Sequence, residues 1–197
     1  MSRTSHIAVV LVAFLGGLGI FLGVILYATG QLGAVGPAPS AIGGPFKLID
    51  QDNKPITEAD LKGKASLVFF GYTHCPDVCP TTLFDVTEVF RALGPDAAHA
   101  QALFITVDPE RDTPAVLKDY LSNFDPRLRG VTGSPDALAA VEKEYRVFAK
   151  KVPTGNGDYS MDHSAVVYLM DKNGRFVAPF NLKRPPQAAA ADLKKYL

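Results

Sequence analysis

Residues that bind metals or close disulfides are scarce in this chain. Its 197 residues include two cysteines, four histidines and three methionines, and no tryptophan. No cysteine lies near residue 30, so a lipid-modified lipoprotein anchor is excluded. An excess of one charge is missing too. Twenty basic residues balance 20 acidic ones, so no basic footprint points to nucleic acid. Internal repeats and low-complexity tracts are absent, and no charged side chain lies between Arg3 and Lys47. The lack of tryptophan decides nothing about function.

Most of that uncharged stretch is hydrophobic. From Ile7 to Ala28 every residue is apolar, glycine or Tyr27. At about 1.5 Å per residue a helix over 7–28 spans roughly 33 Å, enough to cross a bilayer. A secretory signal peptide has a shorter apolar region. Ala28-Thr29-Gly30 has the form of a small-residue cleavage site, yet the length of the run favours an uncleaved anchor. Arg3 and the N-terminal amine put positive charge on the short side, so residues 1–6 are expected in the cytoplasm. The rest of the chain is then expected outside, in a periplasm or equivalent compartment, where disulfides persist. Residues 29–45 (TGQLGAVGPAPSAIGGP) are a Gly/Ala/Pro linker. As a flexible coil its ends average roughly 20–25 Å apart.

From Phe46 onward strands and helices alternate, and 46–197 is expected to form one domain. A strand over Phe46–Ile49 leads into a polar turn, and Thr57 opens a helical turn ended by Gly63. Ala65–Tyr72 and Ala102–Val107 are apolar runs that fit strands buried on both faces. Between them Leu83, Val86, Phe90 and Leu93 recur at helical spacing. Thr113-Pro114 and Ser134-Pro135 are cap-plus-proline helix starts. The second predicts a helix with Leu138, Val141, Tyr145 and Phe148 on one face. A short strand is expected near Gly130–Thr132. Ala165–Met170 and Arg175–Phe180 flank Asn173-Gly174, a hairpin signal that makes them antiparallel. A last helix follows Pro185-Pro186. The sum is an α/β, thioredoxin-like fold, a mixed central sheet flanked by helices, behind one transmembrane helix.

Both cysteines lie in one run, GYTHCPDVCP at 71–80, as a C-x-x-x-C pair following a buried strand. A bridge between them closes too small a loop to stabilise much, so a purely structural role explains little. Each precedes a proline, which disfavours helical backbone. The helix is therefore expected to start with Pro80, with Cys79 near its cap. Helix N-termini favour thiolate, the form required for metal binding and for disulfide exchange alike, so the position does not choose between them. Two thiolates favour Cu(I), and an added imidazole suits Cu(II) as well. His6 adjoins the apolar span and His99 lies in a polar turn. His74 abuts Cys75, but neighbouring side chains in an extended loop diverge. His163, in the loop before the strand Ala165–Met170, faces the cysteines in a thioredoxin-like sheet. A histidine making only local hydrogen bonds remains the alternative there. Asp77 is read as a helix cap in preference to a charge that tunes the site. Asp108, Glu110, Arg111 and Asp112 suit a partner-docking rim and a solvated, capped turn equally well.

GYTHCPDVCP, VDPERDTP at 107–114 and DHSAVVYLMDKNG at 162–174 together resemble the Sco/SenC family, over about Phe46 to the C-terminus. These are membrane-anchored copper proteins that assist cytochrome c oxidase assembly. The resemblance implies one copper per domain, as Cu(I) or Cu(II), on Cys75, Cys79 and His163. It implies as client the dinuclear CuA centre of oxidase subunit II, with an upstream copper donor and a thiol–disulfide reductant as further partners. The leading reading is a metallochaperone and not a turnover enzyme. The runner-up is a membrane-tethered thiol–disulfide oxidoreductase that reduces the client's cysteines with Cys75 and Cys79. A peroxiredoxin-like peroxidase is disfavoured, because no residue arrangement suggests a peroxide pocket. Zinc suits a site outside the cytoplasm with two thiolates less well than copper does.

Overall fold

Two seven-residue runs, β3 (Ala65–Gly71) and β4 (Ala100–Thr106), are buried at every position. They pair in parallel from Ala65 opposite Ala100 to Gly71 opposite Thr106, and the domain is built around them. The computed structural model describes residues 3–32, 42–155 and 157–197. It divides into two compact units, Met1–Pro39 and Ser40–Leu197.

In the first unit residues Arg3–Leu32 form one α-helix, α1. Its side chains are described over 12–27, where they are exposed. Among the described residues no helix is long and apolar enough to cross a membrane. The span expected at 7–28 lies within α1, with side chains described only over 12–27, and the linker expected at 29–45 lies largely outside the described residues.

The second unit carries a seven-stranded mixed sheet in the order β2-β1-β5-β4-β3-β8-β9. Its outer members are β1 (Lys47–Asp50), β2 (Pro55–Thr57), β5 (Leu128–Thr132), β8 (Val167–Met170) and β9 (Phe176–Pro179). β4 and β5 are parallel, while β8 is antiparallel to both β3 and β9. The expected β-α-β units and terminal hairpin are present. Gly174 supplies the positive φ of that hairpin turn, and Asp171 accepts from the amides of Asn173 and Arg175.

The helices are α2 (Val78–Leu93), α3 (Pro114–Leu121), α4 (Pro135–Glu144) and α5 (Pro186–Leu193). Thr113 and Ser134 cap α3 and α4 by accepting from the amides of Val116 and Ala137. Alternation along β3 assigns the layers. Phe69 packs on Phe104, whose ring meets Tyr120 of α3. Phe70 points the other way, onto Tyr145 at the end of α4. Helices therefore cover both faces.

Two expectations fail locally. α4 stops at Glu144 because Arg146 adopts φ 54°, so Phe148 leaves the helix and stands 55% exposed. Residues 149–163 contain a two-stranded sheet that the sequence does not signal, β6 (Ala149–Gly155) paired with β7 (Asp158–His163). Most of its residues are exposed, and Lys150, Lys151, Pro153 and Gly155 break any apolar alternation.

Gly71, the last residue of β3, must be glycine for reasons of space. A Cβ there would lie 2.6 Å from Phe104 and 2.8 Å from the Cys79 sulfur. Gly71→Ala is expected to lower stability by about 1–3 kcal/mol through overpacking, read as a lower urea midpoint. An unchanged midpoint would mean that the sulfur moves aside freely.

Candidate metal centre

β3 and β4 run in parallel, so the loops that follow them leave the sheet at one edge, where open α/β sheets gather ligands. The loop after β3 carries both cysteines. α2 begins at Val78, two residues before the expected start, with Asp77 at the cap position. Cys79 and Pro80 thus lie within the first turn, where a missing N–H breaks no helical hydrogen bond. The Asp77 side chain makes no capping hydrogen bond, so its expected role as a cap is not seen. A sulfur does that work instead: the Cys79 amide donates to Cys75 Sγ at 3.4 Å. Cys75 Sγ therefore sits at the positive end of the helix dipole.

Cys79 turns inward and is fully buried, whereas Cys75 is half-buried. The helix mouth was expected to lower the thiol pKa. For Cys79 burial dominates and pushes the thiol up, with Cys75 and Asp112 adding to the effect and the Tyr72 backbone opposing it. A metal at this sulfur has to displace its proton.

His163 is the last residue of β7 and does not lie in the expected loop. Its Nε2 is 3.7 Å from Cys79 Sγ, and its Nδ1 is 3.2 Å from the Ser164 carbonyl. A carbonyl only accepts, so Nδ1 carries the proton and Nε2 presents its lone pair to the sulfur. The ring meets Tyr72 at 88° and Phe69 at 65°, edge to face, which limits its rotation. The two sulfurs and an imidazole nitrogen lie within 4.8 Å of one another. Ligands held at about 2.0–2.3 Å from one metal are themselves roughly 3.5–3.8 Å apart, so this donor set needs little movement to close on an ion. Among the described residues these three side chains are the set that converges. His74 is exposed and meets Thr73 Oγ1 at 3.1 Å, His99 is exposed at the end of a 3-10 turn, and the His6 side chain lies outside the described residues.

The acidic segment after β4 is more than a solvated turn, although Glu110 is exposed and Thr113 does cap α3. Asp108 and Asp112 are buried. Asp112 accepts from Thr73 N at 3.0 Å, Thr73 Oγ1 at 2.6 Å and Thr106 Oγ1 at 2.6 Å. Burial pushes its carboxyl up and these donors pull it back. This carboxylate ties the cysteine loop to the end of β4.

One residue earlier, Arg111 holds the histidine hairpin. Its Nε donates to Asp108 at 2.5 Å and its Nη1 to the Tyr159 carbonyl at 3.0 Å. The guanidinium lies 3.8 Å from the Tyr159 ring centroid, and Tyr159 Oη donates to Asp108 at 2.9 Å. Lys151 pairs with Glu110 at 2.7 Å and closes the same contact from outside. A single turn thus grips the cysteine loop through Asp112 and the histidine strand through Arg111. The sequence offered these charges a docking rim or a solvated turn, but not this bracing role. The available signal was a pair of aspartates at the end of a buried strand, where carboxylates must find donors.

Arg111→Ala is expected to loosen the hairpin. Its hydrogen bonds to a carboxylate and a carbonyl are worth about 1.5–3 kcal/mol. Exchange of the Met161 and Asp162 amides is then expected to accelerate by roughly 10- to 100-fold, with the protection of β3 and β4 unchanged. Equal acceleration throughout would refute a local role.

Residues 35–197 match the sequence model of the SCO1/SenC family. An SCO2-like protein of Rickettsia prowazekii is 44% identical over 143 residues, covering 72% of this chain and 70% of its own. The mitochondrial SCO2 protein of Saccharomyces cerevisiae is 46% identical over 140 residues, 70% of this chain and 46% of that one. Among solved structures, ScoI of Bradyrhizobium japonicum with copper bound superimposes with a TM-score of 0.77. It is 65% identical, over 79% of this chain and 99% of that one. With the fold, the paired cysteines and the facing histidine in place, this chain belongs to the SCO1/SenC family.

Proposed function

We propose that this chain binds copper on Cys75, Cys79 and His163 and serves assembly of the CuA centre of cytochrome c oxidase subunit II. The observation that carries the reading is the convergence of two thiol sulfurs and one imidazole nitrogen within 4.8 Å. The copper-bound state of the Bradyrhizobium ScoI structure supports it. Copper here is cargo. Cys79 anchors it from inside, His163 Nε2 adds the nitrogen donor, and the half-buried Cys75 leaves one side open. An incoming ligand from the client attacks on that side and copper passes by ligand exchange. Soft thiolates select Cu(I), and the imidazole extends the site to Cu(II).

The uncharged run 7–28 serves as a single-pass anchor, and α1 is helical through it. Residues 29–45 tether the domain from Phe46 onward on the periplasmic face of the inner membrane. An upstream donor fills the site, and a thiol reductant keeps the pair open.

A second reading rests on the difference in exposure between the cysteines. The Cys75 thiolate attacks a client disulfide and forms a mixed disulfide, expelling one client thiolate. Cys79 then attacks Cys75 and releases the second, leaving a Cys75–Cys79 disulfide and a client reduced by two electrons. This chemistry does not require His163.

Titration of the reduced full-length protein in detergent with Cu(I) and Cu(II) distinguishes the two. One ion per chain is expected. Cys75→Ser and Cys79→Ser are expected to weaken Cu(I) binding by more than about 100-fold, beyond the roughly 10- to 100-fold of outer-shell changes. His163→Ala is expected to weaken Cu(II) more than Cu(I). Any other stoichiometry, or no loss in His163→Ala, counts against the site. Full oxidase assembly with His163→Ala leaves reduction as the function.

A further inference from the structure

Beside the metal centre lies an open groove of about 550 Å³. One wall is the first two turns of α2, with Asp77, Val78 and Asp85. The other is Ala165–Val167, entering β8, and the floor is closed by Phe180 and Leu182. Two wall residues, Asp77 and Val78, lie between the two cysteines, and Ala165 is two residues past His163. The groove therefore adjoins the metal site through the residues next to its ligands, although none of the three ligands lines it.

Its chemistry is mixed in a particular way. Val78 stands 46% exposed and Phe84, on the adjoining side of α2, 57% exposed. Asp85 is half-buried, and among the described residues its carboxylate has no hydrogen bond or ion pair. The other described aspartates that are at least half-buried all have donors: Asp50, Asp108, Asp112, Asp125 and Asp171 from hydroxyls, amides or arginines, and Asp96 and Asp192 from lysines. Burial alone pushes the Asp85 carboxyl up. A carboxylate left without a donor beside apolar surface matches an incoming cation. Asp77, also exposed, adds a second negative charge at the end nearest the sulfurs.

We propose that this groove seats a polypeptide segment of the copper acceptor, which places apolar side chains on Val78 and Phe180 and a Lys or Arg on Asp85 while its cysteine reaches the metal past Cys75. The inference rests on the copper reading above and specifies where the acceptor docks. Cys75 is the ligand such a segment meets, since Cys79 is fully buried. In the exchange a copper–sulfur bond to Cys75 breaks as one to the incoming sulfur forms. The incoming thiol's proton passes to the Cys75 thiolate, and copper keeps its oxidation state. The docked segment converts this step from an encounter into a local one, with the gain in effective concentration that tethering supplies.

The probe is a synthetic peptide carrying two cysteines flanked by leucine and arginine, with a counterpart in which glutamates replace the arginines. Two measurements use full-length protein in detergent. The first is fluorescence anisotropy of copper-free protein with the cysteine-to-serine forms of both peptides. The second is stopped-flow transfer of Cu(I) to the thiol forms. Wild type is expected to bind and react with the arginine peptide in preference. Asp85→Lys is expected to reverse that preference and to cut binding of the arginine peptide by about tenfold or more, the size of one charge-assisted contact. Val78→Glu is expected to weaken the leucine contact without changing the amount of Cu(I) loaded. Equal binding and transfer across both peptides and all variants overturns the proposal. So does a concentration-dependent dimer that Val78→Glu abolishes, because the groove then belongs to a second copy. Binding in the copper-free protein is independent of the metal, so failure of copper loading with the peptide preference intact overturns the copper reading and leaves the docking surface standing.

Discussion

The position of one buried sulfur governs the rest of this structure. Cys79 Sγ rests against the backbone of Gly71 at the end of the central strand, at a distance that admits no Cβ. A thiol in that place is shielded from water and costly to ionise. It acquires a use only if something nearby replaces its proton. Three features answer that need from three directions: the second sulfur across one helical turn, an imidazole nitrogen at 3.7 Å, and an opening on the Cys75 side. Burial supplies rigidity and exclusion of water, and exposure of Cys75 supplies access. Neither cysteine could do both.

Holding the imidazole is the harder task, because His163 does not come from the main sheet. It ends a two-stranded hairpin whose strands are mostly exposed. Such a hairpin has little hydrophobic reason to stay in place. The turn after β4 supplies that reason through polar contacts, with Asp112 facing the cysteine loop and Arg111 facing the hairpin. The Arg111 guanidinium also lies 5.8 Å from the Tyr72 ring, whose edge meets His163. Cysteine loop, aromatic wall and histidine strand are thus referred to one short segment. A polar brace of this kind fixes geometry more tightly than apolar packing of the same area, since hydrogen bonds are directional.

The legible parts of the chain were those where one physical rule acts alone. β3 and β4 are legible because a strand buried on both faces has no polar positions to confuse the pattern. α3 and α4 are legible because a capping hydroxyl followed by proline is a local signal. The pairing of Cys75 and Cys79 is legible from spacing, and His163 from its place in a family motif. What escaped depends on contacts distant in sequence. The β6–β7 hairpin has no alternation to read, and its reason for existing lies in Arg111, some 50 residues away. The start of α2 escaped because two rules compete at Cys79. Pre-proline sterics argue against helix, while a first turn tolerates proline and a sulfur three residues before the helix supplies the cap.

The same pair of sulfurs supports two chemistries, and geometry sets their relation. A Cys75–Cys79 disulfide requires the sulfurs to close to about 2.05 Å, from an arrangement in which one thiol caps the helix carrying the other. Closing the bridge removes both thiolates from any metal and leaves Nε2 of His163 as a lone donor, too weak to hold copper by itself. Oxidation and metal binding therefore exclude each other at this site. His163 takes no part in the first and, in the copper reading proposed above, supplies a donor to the second. A histidine held by a backbone carbonyl and two aromatic rings, on a hairpin braced by a half-buried arginine, is a costly arrangement for thiol exchange alone. It is the part of the structure that thiol chemistry leaves without a purpose and that metal binding explains.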